Sequence, residues 1–455
     1  MNTEWSPLPT RDELLKAGKA ARQRTPRRRL AELASGPRDP LGIIAAQNTT
    51  RTPELVPLRT QRMAASAFAF YRGTAALMAA DLADAPHSGI LVASCGDAHV
   101  SNFGFYASQQ RSLMFDLNDF DEAAWAPWEW DVKRLATSIV IGGRATGRSA
   151  KLIDKAVRAA LTTYTTGIAT ASALSPTDRY FTHFDVEASQ SMFDKASRKA
   201  VRASIRQAQR RTGERAVRKL TAADADGRRL FQREAPTMTD VEPVVRGAVE
   251  DLIGQYCRST SADIALLLDH YTISDVVRRV VGVGSVGTRC YLVLFQDGDD
   301  NTVLLQPKQA ARSVLVEYGR IPQPDRLATL IETEGEGARV VDLQRVLQGL
   351  SDPFLGYLRG PNTDYYVRQF HDMKGSVEIE ELDDTPFVTY ARACAAVVAR
   401  AHSQSVTATE VAGYIGRGRR VIASLLEWAH DYADISRADY DAFVAAQQTE
   451  AAPTP

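Results

Sequence analysis

Ser94–Tyr106 reads SCGDAHVSNFGFY, and Met114–Ala123, MFDLNDFDEA, follows almost at once. Together they crowd Asp97, His99, Asn102, Asp116, Asn118, Asp119 and Asp121 into one interval between apolar runs of strand character. Asp and Asn cap backbone amides in turns, but capping does not call for this many carboxylates beside two strands. Phosphoryl transfer does: it needs a base for the acceptor hydroxyl and hard oxygen ligands for magnesium near one point. A two-metal phosphoesterase centre would want further histidine clusters downstream, which the sequence lacks.

Working outward, GILVAS (Gly89–Ser94) reads as a buried strand entering the first stretch, and RSLMFDLNDFD (Arg111–Asp121) as a strand entering the second. Upstream, Ser66–Leu82 has apolar residues at helical spacing, and residues 1–60 read as an irregular wrapping arm containing one or two short helices. Residues 131–280 are mostly helical in pattern. The character changes at Val280–Ala310, where two β-branched runs flank the turn QDGDDN, the pattern of a hairpin. A helix, GARVVDLQRVLQGL, two strands, FLGYLRG and DYYVRQFHD, and C-terminal helices complete the chain. The expected class is α+β, with residues 61–275 a helical lobe, 276–380 a β-rich lobe, and 381–455 helices returning to the first lobe.

Between the first two strands of the β-rich lobe lies GVGSVG, with Gly282, Gly284, Ser285 and Gly287, where backbone amides can approach phosphate oxygens. The residues that follow are strand-like, so the helix required by a dinucleotide fingerprint is missing. A strand-turn-strand glycine loop resembles the phosphate-covering loop of protein kinases. That resemblance asks for a lysine, and VLLQPKQA supplies Lys308. It also asks for an acidic partner on the next helix, with Asp342 the first choice and Glu332, Glu334 and Glu336 the alternatives.

GDAHVSN resembles the catalytic loop HGDxHxxN of aminoglycoside phosphotransferase and choline kinase type enzymes, with Ser94 or Cys95 where those often have their first histidine. The resemblance implies that Asp97 is the catalytic base, with His99 in the same loop, and that Asn102 is a metal ligand. It aligns Asp119 of LNDFDEA with the second metal ligand, leaves Asp116 and Asp121 in support, and sets Asp131 of APWEWDVKRLA where a helix braces the loop. Here, however, the glycine loop and Lys308 follow the catalytic loop. A circularly permuted kinase-like two-lobed fold accounts for this, because AVVARAHSQS (Ala396–Ser405) resembles the helix that normally precedes the catalytic loop. Most of the chain is also similar to a bacterial family known as domain of unknown function 2252, through RMAASAFAFYRG, CGDAHVSNFG, FDLNDFDE, PWEWDVKRLA, VGVGSVGTRC and YYVRQFHDMKGS.

Composition bounds the partners. Lys plus Arg equals Asp plus Glu at 55 each, so no global charge recommends nucleic acid or an anionic membrane. The basic run Lys195–Lys219 lacks interleaved aromatics and reads as a solvated helix face. The four cysteines form no C-x-x-C pair, and neither a signal peptide nor a membrane span is legible, which points to the cytoplasm. The expected activity is an ATP- and Mg2+-dependent phosphotransferase acting on a small-molecule acceptor. The alternatives are a nucleotidyl transferase on the same fold and a nucleotide-sensing regulator without turnover.

Overall fold

The computed structural model describes residues 7–183, 194–210, 212–280, 282, 286–360, 362–370 and 375–451. The chain is mixed α+β. The helical part is organised on Glu129–Ala145, whose side chains are buried on every face up to Gly143. Four other helices enclose it, Ala67–Arg72, Ala150–Ala171, Asp384–Ser403 and Arg419–Ala451, so its charged side chains Glu129, Asp131, Lys133 and Arg134 are buried with its apolar ones. Two small antiparallel pairs sit in this part. β1 (Leu91–Ser94) pairs with β4 (Ala124–Pro127), and β2 (Phe103–Ala107) and β3 (Leu113–Leu117) form a hairpin.

β5 (Thr221–Ala223) and β6 (Arg229–Phe231) form a separate short pair, and the β-rich part is an antiparallel sheet in the order β11-β12-β10-β9-β8-β7. Its strands are β7 (Met238–Asp240), β8 (Thr272–Arg279), β9 (Tyr291–Gln296), β10 (Thr302–Ala310), β11 (Gly356–Arg359) and β12 (Asp364–Gln369). The glycine segment joins β8 to β9. The turn QDGDDN joins β9 to β10, with Asp297 Oδ1 accepting from Asn301 N at 2.8 Å and Asp299 N at 2.9 Å. The sheet begins earlier than a boundary at Val276 allows. Its edge strand β7 is three residues long, too short to show an alternating pattern.

Two other elements differ from the sequence reading. The helix expected over Ser66–Leu82 is two helices, Ala67–Arg72 and Ala75–Ala83, divided at Gly73 and Thr74. The arm holds more helix than the one or two short helices expected, with Arg11–Arg24, Pro40–Thr49 and the start of Val56–Ala64 joined by short 3-10 turns. Arg11–Arg24 lies so close to Ala408–Ile415 that a Cβ on Gly18 would stand 1.9 Å from Glu410 O, so only glycine permits the contact. Among the described residues no helix is long and apolar enough to cross a membrane.

Candidate functional site

The acidic loop leaves β1 at Cys95. Cys95 N and Gly96 N donate to the two oxygens of Asp131 at 2.8 and 3.0 Å, so the first turn of the buried helix holds the loop by its backbone. Gly96 has φ +81°, and a Cβ there would lie 2.2 Å from Glu122 O. His402 Nε2 lies 3.2 Å from Asp131 Oδ2, its other ring nitrogen is 2.9 Å from the Tyr164 hydroxyl, and Tyr164 stacks on Trp128. Asp131 therefore braces the loop from beneath.

Farther along, Asn102 Nδ2 donates to Asp97 O at 2.8 Å, and Asn118 N donates to Asn102 O at 2.9 Å. The β2–β3 hairpin, with Phe103 opposite Leu117, thus sets the end of the first stretch beside the start of the second. Asp97 Oδ1 accepts from Arg134 Nε at 2.7 Å, and His99 Nε2 lies 3.6 Å from its other oxygen. Burial pushes the Asp97 carboxyl up, Arg134 draws it down, Asp119 pushes it up, and the net direction is upward. Burial and the charges of Arg72 and Arg134 push His99 well below the ordinary histidine range, so the ring is neutral at pH 7. Asp116 is buried and accepts from Leu117 N and Gly349 N, which makes it a brace between β3 and the chain at Gly349.

Lys308 reaches this region from β10. Its side chain is 3 % exposed, and its amine donates to Asp121 Oδ2 and stands 3.8 Å from Asp119 Oδ1. Tyr366, opposite Lys308 in the register, donates its hydroxyl to Asp121 Oδ1 at 2.6 Å. Burial opposes the charge on Lys308, yet Asp119, Asp121 and Tyr366 hold it well above the ordinary lysine value. The expected pairing with Asp342 is corrected: Lys308 pairs with Asp121 and Asp119. Glu336, one of the alternatives, pairs with Arg339, while Glu332 and Glu334 are exposed. The reason is helix phase. Helix Glu336–Leu347 turns Arg339, not a carboxylate, toward the acidic loop, and its guanidinium donates to Asp121 O at 2.9 Å and Ala311 O at 2.7 Å, and to Ala123 O.

The glycine segment is docked on the arm. Arg51 Nη1 donates to Val286 O at 2.7 Å, Thr52 N to Gly287 O at 2.9 Å, and Arg62 to Gly282 O. Gly287 has φ +90°, and a Cβ there would meet Arg51 Cβ at 2.9 Å. Gly284 and Ser285 lie outside the described residues. Sequence reasoning did not single out Arg134, Arg339, Tyr366, His402 or Arg51. Arg134 alone had a signal, standing one turn after Asp131 on the same helix.

Among the described residues no group of three or more His, Cys, Asp or Glu side chains is placed to hold a metal. A magnesium ion at Asn102 and Asp119 would draw its remaining oxygens from phosphate and water, as that ion commonly does. The residues fit this demand: Asn102 uses its amide nitrogen on Asp97 O, which leaves Oδ1 to face a cation. A depression of about 730 Å3 lined by Thr25, Arg29, Ala83 and His87 lies apart from these groups. Residues 51–446 match the family described as "Uncharacterized protein conserved in bacteria", DUF2252. No curated protein and no solved structure matches the chain.

Proposed function

The chain belongs to that bacterial DUF2252 family, and from the geometry of its site we propose that it is an ATP- and magnesium-dependent phosphotransferase acting on a hydroxyl of a small-molecule acceptor. The fold in this reading is kinase-like and two-lobed, with its segments in circularly permuted order. One observation carries it: Lys308, on the strand after the glycine hairpin, meets Asp119 and Asp121 on the loop that shares a hairpin with the Asp97 loop. The permuted order is supported at the other end of the chain. Helix Asp384–Ser403 finishes beside β1, where Ser405 Oγ accepts from Ala93 N at 2.9 Å and His402 faces Asp131.

In this reading Asp97 orients the acceptor hydroxyl and takes its proton, with its upward-shifted carboxyl closer to the working pH than a free aspartate. Asn102 and Asp119 hold magnesium, and Lys308 with the amides of the glycine segment holds phosphate oxygens. Bound magnesium ATP would supply the phosphoryl group and neutralise charge on it. Arg134 fixes the Asp97 carboxylate, and Asp131 with His402 fixes the loop that carries it.

A second reading, a nucleotide sensor without turnover, is favoured by the Arg134 contact, because that hydrogen bond already occupies one oxygen of the Asp97 carboxylate. The purified chain, given γ-labelled ATP, magnesium and a metabolite extract, is expected to move label to an acceptor. Asp97→Asn is expected to lower the rate by about 10²- to 10⁴-fold. Label transfer from the α-position would point to nucleotidyl transfer. Absence of any transfer, with thermal stabilisation by magnesium ATP persisting in Asp97→Asn, would favour the sensor.

A further inference from the structure

Between residues 195 and 219 ten Lys and Arg stand against one acid, Glu214, although the chain as a whole carries no net charge. The run folds into helices Lys195–Gln209 and Gly213–Leu220. The first starts on Asp194, whose Oδ1 accepts from Ala196 N at 2.9 Å and Ser197 N at 3.0 Å. Its apolar face is used up in packing. Val201, Ile205 and Ala208 join Phe105 and Leu113 of the β2–β3 hairpin in one cluster, and Ser197 Oγ donates to Thr389 Oγ1 at 2.9 Å. The fit is close enough that a Cβ on Gly375 would stand 2.8 Å from Ala208 Cβ. With that face fixed, Lys195, Lys199, Arg206 and Arg210 are left exposed, as are Arg215 and Arg218 on the next helix. Among the described residues none of the six is paired with a carboxylate.

Surface helices ordinarily mix signs, so that a cation finds a carboxylate three or four residues away. Here Arg198, Arg202, Arg206 and Arg210 follow one another at four-residue steps, and each like-charged step works against the helix. A polyanion laid along the row removes that repulsion. We propose that the exposed face of these two helices docks a DNA duplex through its backbone phosphates, with no reading of bases. Four residues of helix rise about 6 Å and a DNA strand carries a phosphate per about 3.4 Å of axis, so the row meets roughly every second phosphate. The major groove of DNA is wide enough for a helix to lie against both phosphate rims, whereas that of duplex RNA is narrow and closed to side chains. Neither helix exposes a large apolar side chain to enter a bilayer, or an aromatic ring to stack on unpaired bases, which sets a membrane and a single strand aside. The inference goes beyond the phosphotransferase reading and does not depend on it.

Fluorescence anisotropy of a short labelled DNA duplex, titrated with the full chain, tests it. At about 150 mM salt a Kd of about 10⁻⁵ M is expected, the same for unrelated sequences and weakening steeply as salt rises. Arg206→Gln combined with Arg210→Gln should weaken binding about tenfold and lower the slope of log affinity on log salt by about 2. Arg215→Gln combined with Arg218→Gln should act in the same way from the second helix. All four side chains are exposed, so both double variants should keep the urea midpoint of the parent. Replacing the same four arginines by lysine keeps the charges and should hold affinity within about threefold. A duplex Kd above about 10⁻⁴ M, or affinity and salt slope unaltered in both glutamine variants, would overturn the surface. So would an equal loss in the lysine variant, or tighter binding of duplex RNA, single-stranded DNA or phosphatidylserine vesicles than of duplex DNA.

Discussion

Lys308 is almost wholly buried, and what it touches decides its value. Its amine is compensated by Asp121 and Asp119, and Asp121 is shared with the Tyr366 hydroxyl. Removing one partner of such a pair leaves the other charge desolvated and facing nothing. Lys308→Met is therefore expected to cost about 2 kcal/mol of unfolding free energy, less than for a fully enclosed pair because Asp121 keeps some contact with water. Lys308→Met combined with Asp121→Asn should recover part of that loss. Urea titration of the parent, the single variants and the double variant gives the coupling directly. Additive losses would show that the pair contributes little.

At the scale of the element, helix Glu129–Ala145 carries both the brace Asp131 and the clamp Arg134, and it owes its fixed position to being enclosed. The enclosure includes Lys133, which is 0 % exposed and lies 4.5 Å over the Trp428 ring. Burial drives its amine down to about 8, with Glu129 acting in the opposite direction. Below about pH 8 the ammonium is charged in folded and unfolded chains alike, and the full cost of burying it is present. Between about 8 and the ordinary 10.5 the unfolded chain holds the extra proton, so stability rises with pH across that window. Lys133→Met should raise unfolding free energy at pH 7 by about 2 kcal/mol, after the lost ring contact is set against the removed desolvation. It should also flatten the rise between pH 8 and 10.5, as urea unfolding at intervals across that range would show. A parent that is no less stable at pH 7 than the variant would contradict this account.

Over the whole molecule, chain segments remote in sequence are tied by a few charged contacts. Arg38 grips Asp81 with two hydrogen bonds of 2.7 Å, and Asp439 with bonds of 2.9 and 2.7 Å. It therefore joins the arm, helix Ala75–Ala83 and the C-terminal helix Arg419–Ala451 at one point. Arg38→Met would leave two carboxylates near one another with no cation between them. A loss of about 3 kcal/mol is expected, visible as a lower Tm. Magnesium ATP affinity of the folded chain should stay unchanged, because the contacts of Arg38 are with Asp81 and Asp439 and none is with the acidic loop. The arm matters to the site through other residues. Arg51 and Thr52, with Arg62 just beyond the arm, take up the carbonyls of Val286, Gly287 and Gly282 in the glycine segment.

The crowding of Asp97, Asn102, Asp119 and Asp121, the glycine hairpin, the turn QDGDDN, and the strands around Lys308 and Tyr366 were all legible in the sequence. Each is written in a short run of residues, where alternation, turn chemistry and spacing act locally. The edge strand Met238–Asp240 was not, because three residues carry no period. The partner of Lys308, the clamp by Arg339 and the docking of Arg51 and Arg62 on the glycine segment were decided only in three dimensions. Which side chain meets which across such distances depends on strand register, on the phase of the facing helix, and on which charges burial obliges to pair. None of these is a property of a residue's neighbours along the chain.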